Sequence, residues 1–137
     1  MVRAVLDPNV VVSAVLSRGG TPAALLRAWL DGAYELVVSP ALLGELERVL
    51  GHPKIASRVS PDEARELLDV LRLQADLLDD PGSAPSVRSP DPDDDYLIAL
   101  AEAAPAVIVS GDSDLQGLAE QIPVYTPAAF LALLAQT

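Results

Sequence analysis

The chain has 137 residues, half of them apolar, enough for one domain built around a single core. It contains no cysteine, which excludes a disulfide framework, a thiolate nucleophile and a zinc–thiolate cluster. Twenty acidic against nine basic residues give a formal charge of −11, an argument against nonspecific coating of nucleic acid or an anionic membrane unless divalent ions reverse the field locally.

The opening run MVRAVLDPNVVVSAVL is broken by Arg3, Asp7 and Asn9, so it lacks the continuous apolar stretch of a signal peptide or membrane span, and a soluble cytoplasmic protein is expected. Within it Val2 to Leu6 reads as a strand and residues 10 to 16 as a short helix. Further on, Ser-Pro and Thr-Pro pairs mark helix starts, because the hydroxyl caps free N–H groups and proline lacks an N–H where none is needed. The pairs are Thr21-Pro22, Ser39-Pro40, Ser60-Pro61, Ser89-Pro90 and Thr126-Pro127, and Ser60 with Glu63 forms a capping box. They predict helices at about 22 to 31, 40 to 50, 61 to 74, 94 to 104 and 127 to 135, with a shorter one near 114 to 120.

Between the helices lie apolar runs too brief to be helical: Tyr34 to Val38, Ala106 to Val109, the pair Val124 and Tyr125, and the weaker Ala75 to Leu78. Strands alternating with helices predict a three-layer α/β domain with a central parallel sheet, spanning residues 1 to 137. Ligands of such sheets bind beyond the carboxyl ends of the strands, where Asp7, Ser39 and Asp112 fall. The segment Asp79 to Pro92, rich in Pro, Ser and Asp, reads as a long surface loop.

Four separated acids stand at this expected edge or on the helices that border it: Asp7, Glu45, Asp94 and Asp112. If they converge they form a hard, all-oxygen pocket suited to Mg²⁺ or Mn²⁺. Each also has a plainer reading. Asp7 can cap the helix after it, and Glu45 and Glu47 both flank the stripe Leu42, Leu43, Leu46, Val49, Leu50, so periodicity does not choose between them. The run Asp91 to Asp95 can be a solvated helix N-terminus, and Asp112 with Asp114 can form an Asx turn after Gly111, which is expected to let the chain turn sharply. Asp91, Asp93, Asp95 and Glu102 also imitate a calcium loop, but Tyr96 occupies its glycine position and a helical face runs through the required loop. His52, the single histidine, reads as a surface residue in the turn GHPK.

Taken together, LDPNVVVSAVLSRGGTPAALLRA, VVSPALLGELERVLGHPKI and SPDPDDDYLIALAEAAPAVIVSGDSDL resemble the PIN-domain ribonucleases, specifically the VapC-like toxin components of toxin–antitoxin systems. The resemblance covers nearly the whole chain and implies a sheet of order 3-2-1-4-5 with carboxylates at its carboxyl edge. It implies Asp7, Glu45 rather than Glu47, Asp94 and Asp112 as catalytic and metal-binding acids. Asp114, Asp95 and Asp91 would be accessory, and Asn9 and Ser13 would steady the first acid. The implied cofactor is Mg²⁺ or Mn²⁺, the substrate RNA, and the partners an antitoxin and a second copy of the chain, with ALLRAWL and AAFLALLA as candidate docking helices or core. Arg3, Arg18, Arg27, Arg48, Lys54, Arg58 and Arg88 are candidate phosphate contacts.

One departure is Pro8, where relatives carry Thr; it removes a hydroxyl and an N–H near Asp7 and is expected to weaken activity or alter metal preference. Of the rival classes, a receiver domain needs a lysine beside its phosphorylated aspartate, and the one lysine, Lys54, lies in a turn between helices. A phosphatase of the haloacid dehalogenase type needs Asp where Asn9 stands. A noncatalytic PIN-fold binding module remains open at this level.

Overall fold

The computed structural model describes residues 1 to 136. Strand β1 (Arg3–Leu6) leads directly into α1 (Pro8–Leu16), followed by α2 (Thr21–Leu30), β2 (Glu35–Val38), α3 (Pro40–Leu50), the single turn α4 (Pro53–Ala56) and α5 (Pro61–Gln74). The second half runs β3 (Asp76–Leu77), a 3₁₀ turn (Pro92–Asp94), α6 (Asp95–Ala103), β4 (Val107–Val109), α7 (Ser113–Gln116), β5 (Val124–Tyr125) and α8 (Pro127–Ala135).

All strand pairs are parallel, in the order β3-β2-β1-β4-β5. This is the expected 3-2-1-4-5 sheet flanked by helices. Burial on both faces explains the apolar strands: Val5, Leu36, Val37 and Val109 are shielded from water, whereas β3, at the edge, exposes both residues. Tyr34 ties α2 and α8 to the start of β2, its hydroxyl donating to the Leu25 carbonyl at 2.8 Å and its ring meeting Phe130 edge-on at 5.1 Å. Leu25, Trp29 and Phe130 are therefore core residues, which settles part of ALLRAWL and AAFLALLA as packing.

Register fixes the carboxyl edge of the sheet. Leu6 lies beside Val109, Val109 beside Tyr125 and Val38 beside Leu77, so the residues that follow, Asp7, Ser39 and Ser110, leave the sheet at one level. Backbone bonds continue one residue past the strands, from Asp7 N to Val109 O at 2.9 Å and from Ser110 N to Tyr125 O at 3.0 Å.

The hydroxyl caps hold at Ser39, Ser60 and Thr126, and Ser60 with Glu63 closes its capping box. Two pairs differ from expectation. At Thr21-Pro22 the cap is Gly20, with no side-chain bond, and Thr21 is already helical. At Ser89-Pro90 no helix begins: buried Ser89 instead accepts from Asp91 N at 3.2 Å and donates its own N–H to Asp95 Oδ1 at 2.8 Å, so the loop is tied to α6 before α6 starts. The helix expected near 114 to 120 is one turn long, and α4 is an additional turn capped by Nδ1 of exposed His52. Gly111 has no positive φ and open space where a Cβ would stand, so the turn there does not require glycine; Gly32, at φ 85°, does.

Candidate metal centre and cleft

Asp7 is 5% exposed and both of its oxygens are occupied. Oδ1 accepts from Asn9 N at 3.0 Å, so the residue caps α1, while Oδ2 accepts from Ser110 Oγ at 2.7 Å. Capping and site formation are thus compatible: the same carboxylate starts the helix and faces the sheet edge. Pro8 fits as the first residue of α1, where a missing N–H costs nothing. The hydroxyl on Asp7 belongs to Ser110, the residue that follows the neighbouring strand β4, and neither to position 8 nor to Ser13.

Ser110 also accepts from Asp112 N at 3.0 Å, locking the two aspartates to one hydroxyl. Asp112 caps α7 by accepting from Asp114 N at 3.0 Å, and Gln116 Nε2 donates to the Ser110 carbonyl. Asp94 arrives from the 3₁₀ turn before α6. It lies within hydrogen-bonding reach of Asp112, and two carboxyl groups can share such a bond only if one keeps its proton. Burial, followed by the Asp112 contact and repulsion from Asp112, Asp7 and Asp91, pushes Asp94 up to about 7. Its Oδ2 is buried with no hydrogen-bond partner among the described residues.

Glu45 points the other way electrostatically. Arg48, one turn on, forks its carboxylate, Nε to Oε2 at 3.0 Å and Nη2 to Oε1 at 2.5 Å. The hydrogen bond from Arg48 holds Glu45 below the usual carboxylate range against the opposing effect of burial. Glu47 lines a separate hollow of about 490 Å³ with Arg65 and Arg72, between α3 and α5, so the two glutamates face different surroundings.

Of the accessory acids, Asp95 binds Arg88 at 3.2 Å and Ser89 N, anchoring the loop before it. Asp91 caps the 3₁₀ turn through Asp93 N and adds to the field at Asp94. Asn9 and Ser13 have exposed side chains and line a cleft of about 520 Å³ together with Asp7, Asp112, Val10, Gly111, Pro22 and Pro127. They face the cleft, and Asp7 takes only the backbone N–H of Asn9.

Sequence reasoning missed three neighbours. Ser110 had a signal, its position directly after β4, level with Asp7. Asp80, hidden in the Pro- and Asp-rich loop, accepts from Ala41 N at 2.8 Å at the start of α3, while its Oδ1 is buried with no hydrogen-bond partner among the described residues. Tyr96 stands in the field of Asp7, Glu45, Asp94 and Asp80, and burial together with those charges raises its phenol, keeping it a neutral O–H donor.

The donor chemistry fits a hard divalent cation: all-oxygen acids, one buried oxygen without a donor, and a proton held where positive charge is lacking. Among the described residues no three His, Cys, Asp or Glu side chains are drawn close enough to grip one ion as they stand. Glu45 is instead taken up by the Arg48 fork.

A family model described as PIN domain matches residues 3–114. The chain belongs to the PIN domain family. Among solved structures, this PIN domain is similar to VapBC2 from Rickettsia felis bound to a DNA fragment from their promoter, with TM-score 0.61, 13% identity, and 90% of this chain and 98% of that one covered. It is also similar to FitAcB from Neisseria gonorrhoeae, with TM-score 0.55 and 17% identity over 91% and 98% of the two chains. A domain of a functionally unknown protein from Methanocaldococcus jannaschii DSM 2661 matches with TM-score 0.57 and 15% identity over 92% and 91%. At these identities the likeness is one of fold. No curated protein matches the sequence.

Proposed function

We propose that this PIN domain is a metal-dependent endoribonuclease, the toxin component of a toxin–antitoxin pair, with Asp7, Glu45, Asp94 and Asp112 as its principal acids. The observation that carries the reading is Asp94, a carboxyl group at the open edge of the sheet that burial, the Asp112 contact and the charges of Asp112, Asp7 and Asp91 push up to about 7. Such a cluster costs stability unless a cation occupies it. Bound Mg²⁺ or Mn²⁺ would supply Lewis-acid activation of water and of the scissile phosphate.

The chain's own groups do the rest. Asp7 is held rigid by its two hydrogen bonds, and Ser110 sets the spacing of Asp7 and Asp112. The cleft beside them, with Asn9 and Ser13 on its wall, is open enough for an unstacked strand. The backbone N–H of Asp114 steadies Asp112, while Asp95 and Asp91 hold the segment that delivers Asp94.

An antitoxin partner is supported by the fold shared with VapBC2 and FitAcB and by the VapC-like motifs. Leu30, 55% exposed on α2, marks the helix pair α2 and α8 as the candidate face for an antitoxin or a second copy. Among the described residues no helix is long and apolar enough to cross a membrane. Incubation with single-stranded RNA tests the reading: cleavage with Mg²⁺ or Mn²⁺ and none in excess chelator is expected, and cleavage undiminished by chelator would remove it. The second reading, a noncatalytic PIN-fold module, is favoured by the engagement of Glu45 with Arg48; metal binding without cleavage of any RNA would establish it.

A further inference from the structure

We propose that Arg48 is a two-position residue: it latches Glu45 in the metal-free protein and, when Glu45 turns to a divalent ion, is released to hold a phosphate of the bound strand. The proposal rests on the metal-dependent reading above and assigns a residue that the acidic motif leaves out.

The geometry separates this pair from ordinary surface pairing. Arg65 with Asp62 and Arg72 with Asp69 have the same i,i+3 spacing, yet each makes a single contact, at 3.8 and 3.7 Å. Arg48 instead engages both Glu45 oxygens, at 3.0 and 2.5 Å, leaving Glu45 little capacity for another cation. A guanidinium and a divalent ion on one carboxylate repel each other, so occupancy by one disfavours the other.

Four of the other arginines are committed elsewhere. Arg3 lies at the start of β1, at the opposite edge of the sheet, bonded to the Ala104 carbonyl and paired with Glu35 and Asp76. Arg27 donates to the Arg18 carbonyl and Arg58 to that of Leu16, while Arg88 is held by Asp95. Among the described residues no lysine or arginine lines the cleft beside Asp7 and Asp112. Arg48 is thus the described arginine whose hydrogen bonds end on a principal acid, and its side chain is 68% exposed against 37% for Glu45, so the freed guanidinium can reach outward to a phosphate.

The two positions predict effects of opposite sign. Removing the latch by Arg48→Ala should tighten Mn²⁺ binding, measured by calorimetry on the intact protein, by roughly two- to fivefold. The same substitution should raise KM for a single-stranded RNA oligonucleotide at saturating Mn²⁺ by roughly tenfold with little change in kcat. Arg65→Ala, which removes equal charge from α5, should change neither. Equal Mn²⁺ affinity in wild type and Arg48→Ala, or an equal gain in Arg65→Ala, overturns the latch. An unchanged KM overturns the phosphate contact. The calorimetry needs no cleavage: Mn²⁺ binding tightened by Arg48→Ala supports the latch even if no RNA is cut, whereas no binding by either protein overturns the metal site and the latch together.

Discussion

Ser110 Oγ donates to Asp7 Oδ2 at 2.7 Å, joining residues 103 positions apart through the neighbouring strands β1 and β4. The same oxygen accepts from Asp112 N, so one buried hydroxyl sets the relation between two acids of the site. Ser110→Ala leaves a buried carboxylate oxygen and a backbone N–H without their partner, which should cost about 1–3 kcal/mol. Urea melts of the metal-free proteins check this, with Ser110→Thr expected to recover most of the loss. An unchanged midpoint in Ser110→Ala would show that water replaces the hydroxyl.

The raised Asp94 predicts the pH dependence of the metal-free protein. Its folded value is about 7 and its ordinary value 3.8, so between these the folded state holds a proton that the unfolded chain has released. Stability from this group is full below about pH 4 and declines as pH rises through about 7. Glu45, held low by Arg48, acts oppositely: its contribution is present above the usual value of 4.5 and is lost as the solution becomes more acid. Denaturation midpoints between pH 5 and 8 should therefore fall in wild type and fall less in Asp94→Asn. Identical slopes would place the titrating group elsewhere.

Asp94→Asn should separate stability from activity. At pH 8, above the value of about 7 for folded Asp94, it removes one charge from a repelling cluster and should stabilise the metal-free protein by about 1 kcal/mol after solvent screening, roughly 3 °C in Tm. It should also lower RNA cleavage by orders of magnitude. Glu47→Gln, on the hollow lined by Arg65 and Arg72, should leave both measurements nearly unchanged. A destabilised, fully active Asp94→Asn beside an inactive Glu47→Gln would relocate the site.

Divalent metal should stabilise the protein by mass action, about 2.7 kcal/mol at a concentration one hundred times Kd. It should also flatten the pH dependence, because a cation beside Asp94 favours the ionised carboxylate that its neighbours now oppose. Calorimetric titration with millimolar Mn²⁺ checks the binding, and thermal melts at pH 8 with and without metal check the coupling. A Tm that does not respond to metal would count against the acids as ligands.

Local rules carried much of the architecture. Ser39, Ser60 and Thr126 are legible as helix starts because a cap involves the next three residues, and Leu36, Val37 and Val38 are legible as a buried strand because a sheet covered on both faces needs a continuous apolar run. Asp7 and Asp112 were placed at the carboxyl edge for the same local reason: each follows the end of a strand. Glu45 could be separated from Glu47 only through the family motif, since helical periodicity puts both beside one apolar stripe.

What the tertiary structure alone decided is convergence. Setting β1 between β2 and β4 brings Ser110 onto Asp7, and the 3₁₀ turn carries Asp94 to Asp112 across a loop with no periodicity to read. Asp80 escaped notice for that reason, and so did the commitment of Asp95 to Ser89 and Arg88. Caps, strand faces and the i,i+3 fork on Glu45 arise from interactions within a few residues, whereas the raised value of Asp94 depends on burial and charges assembled by the fold.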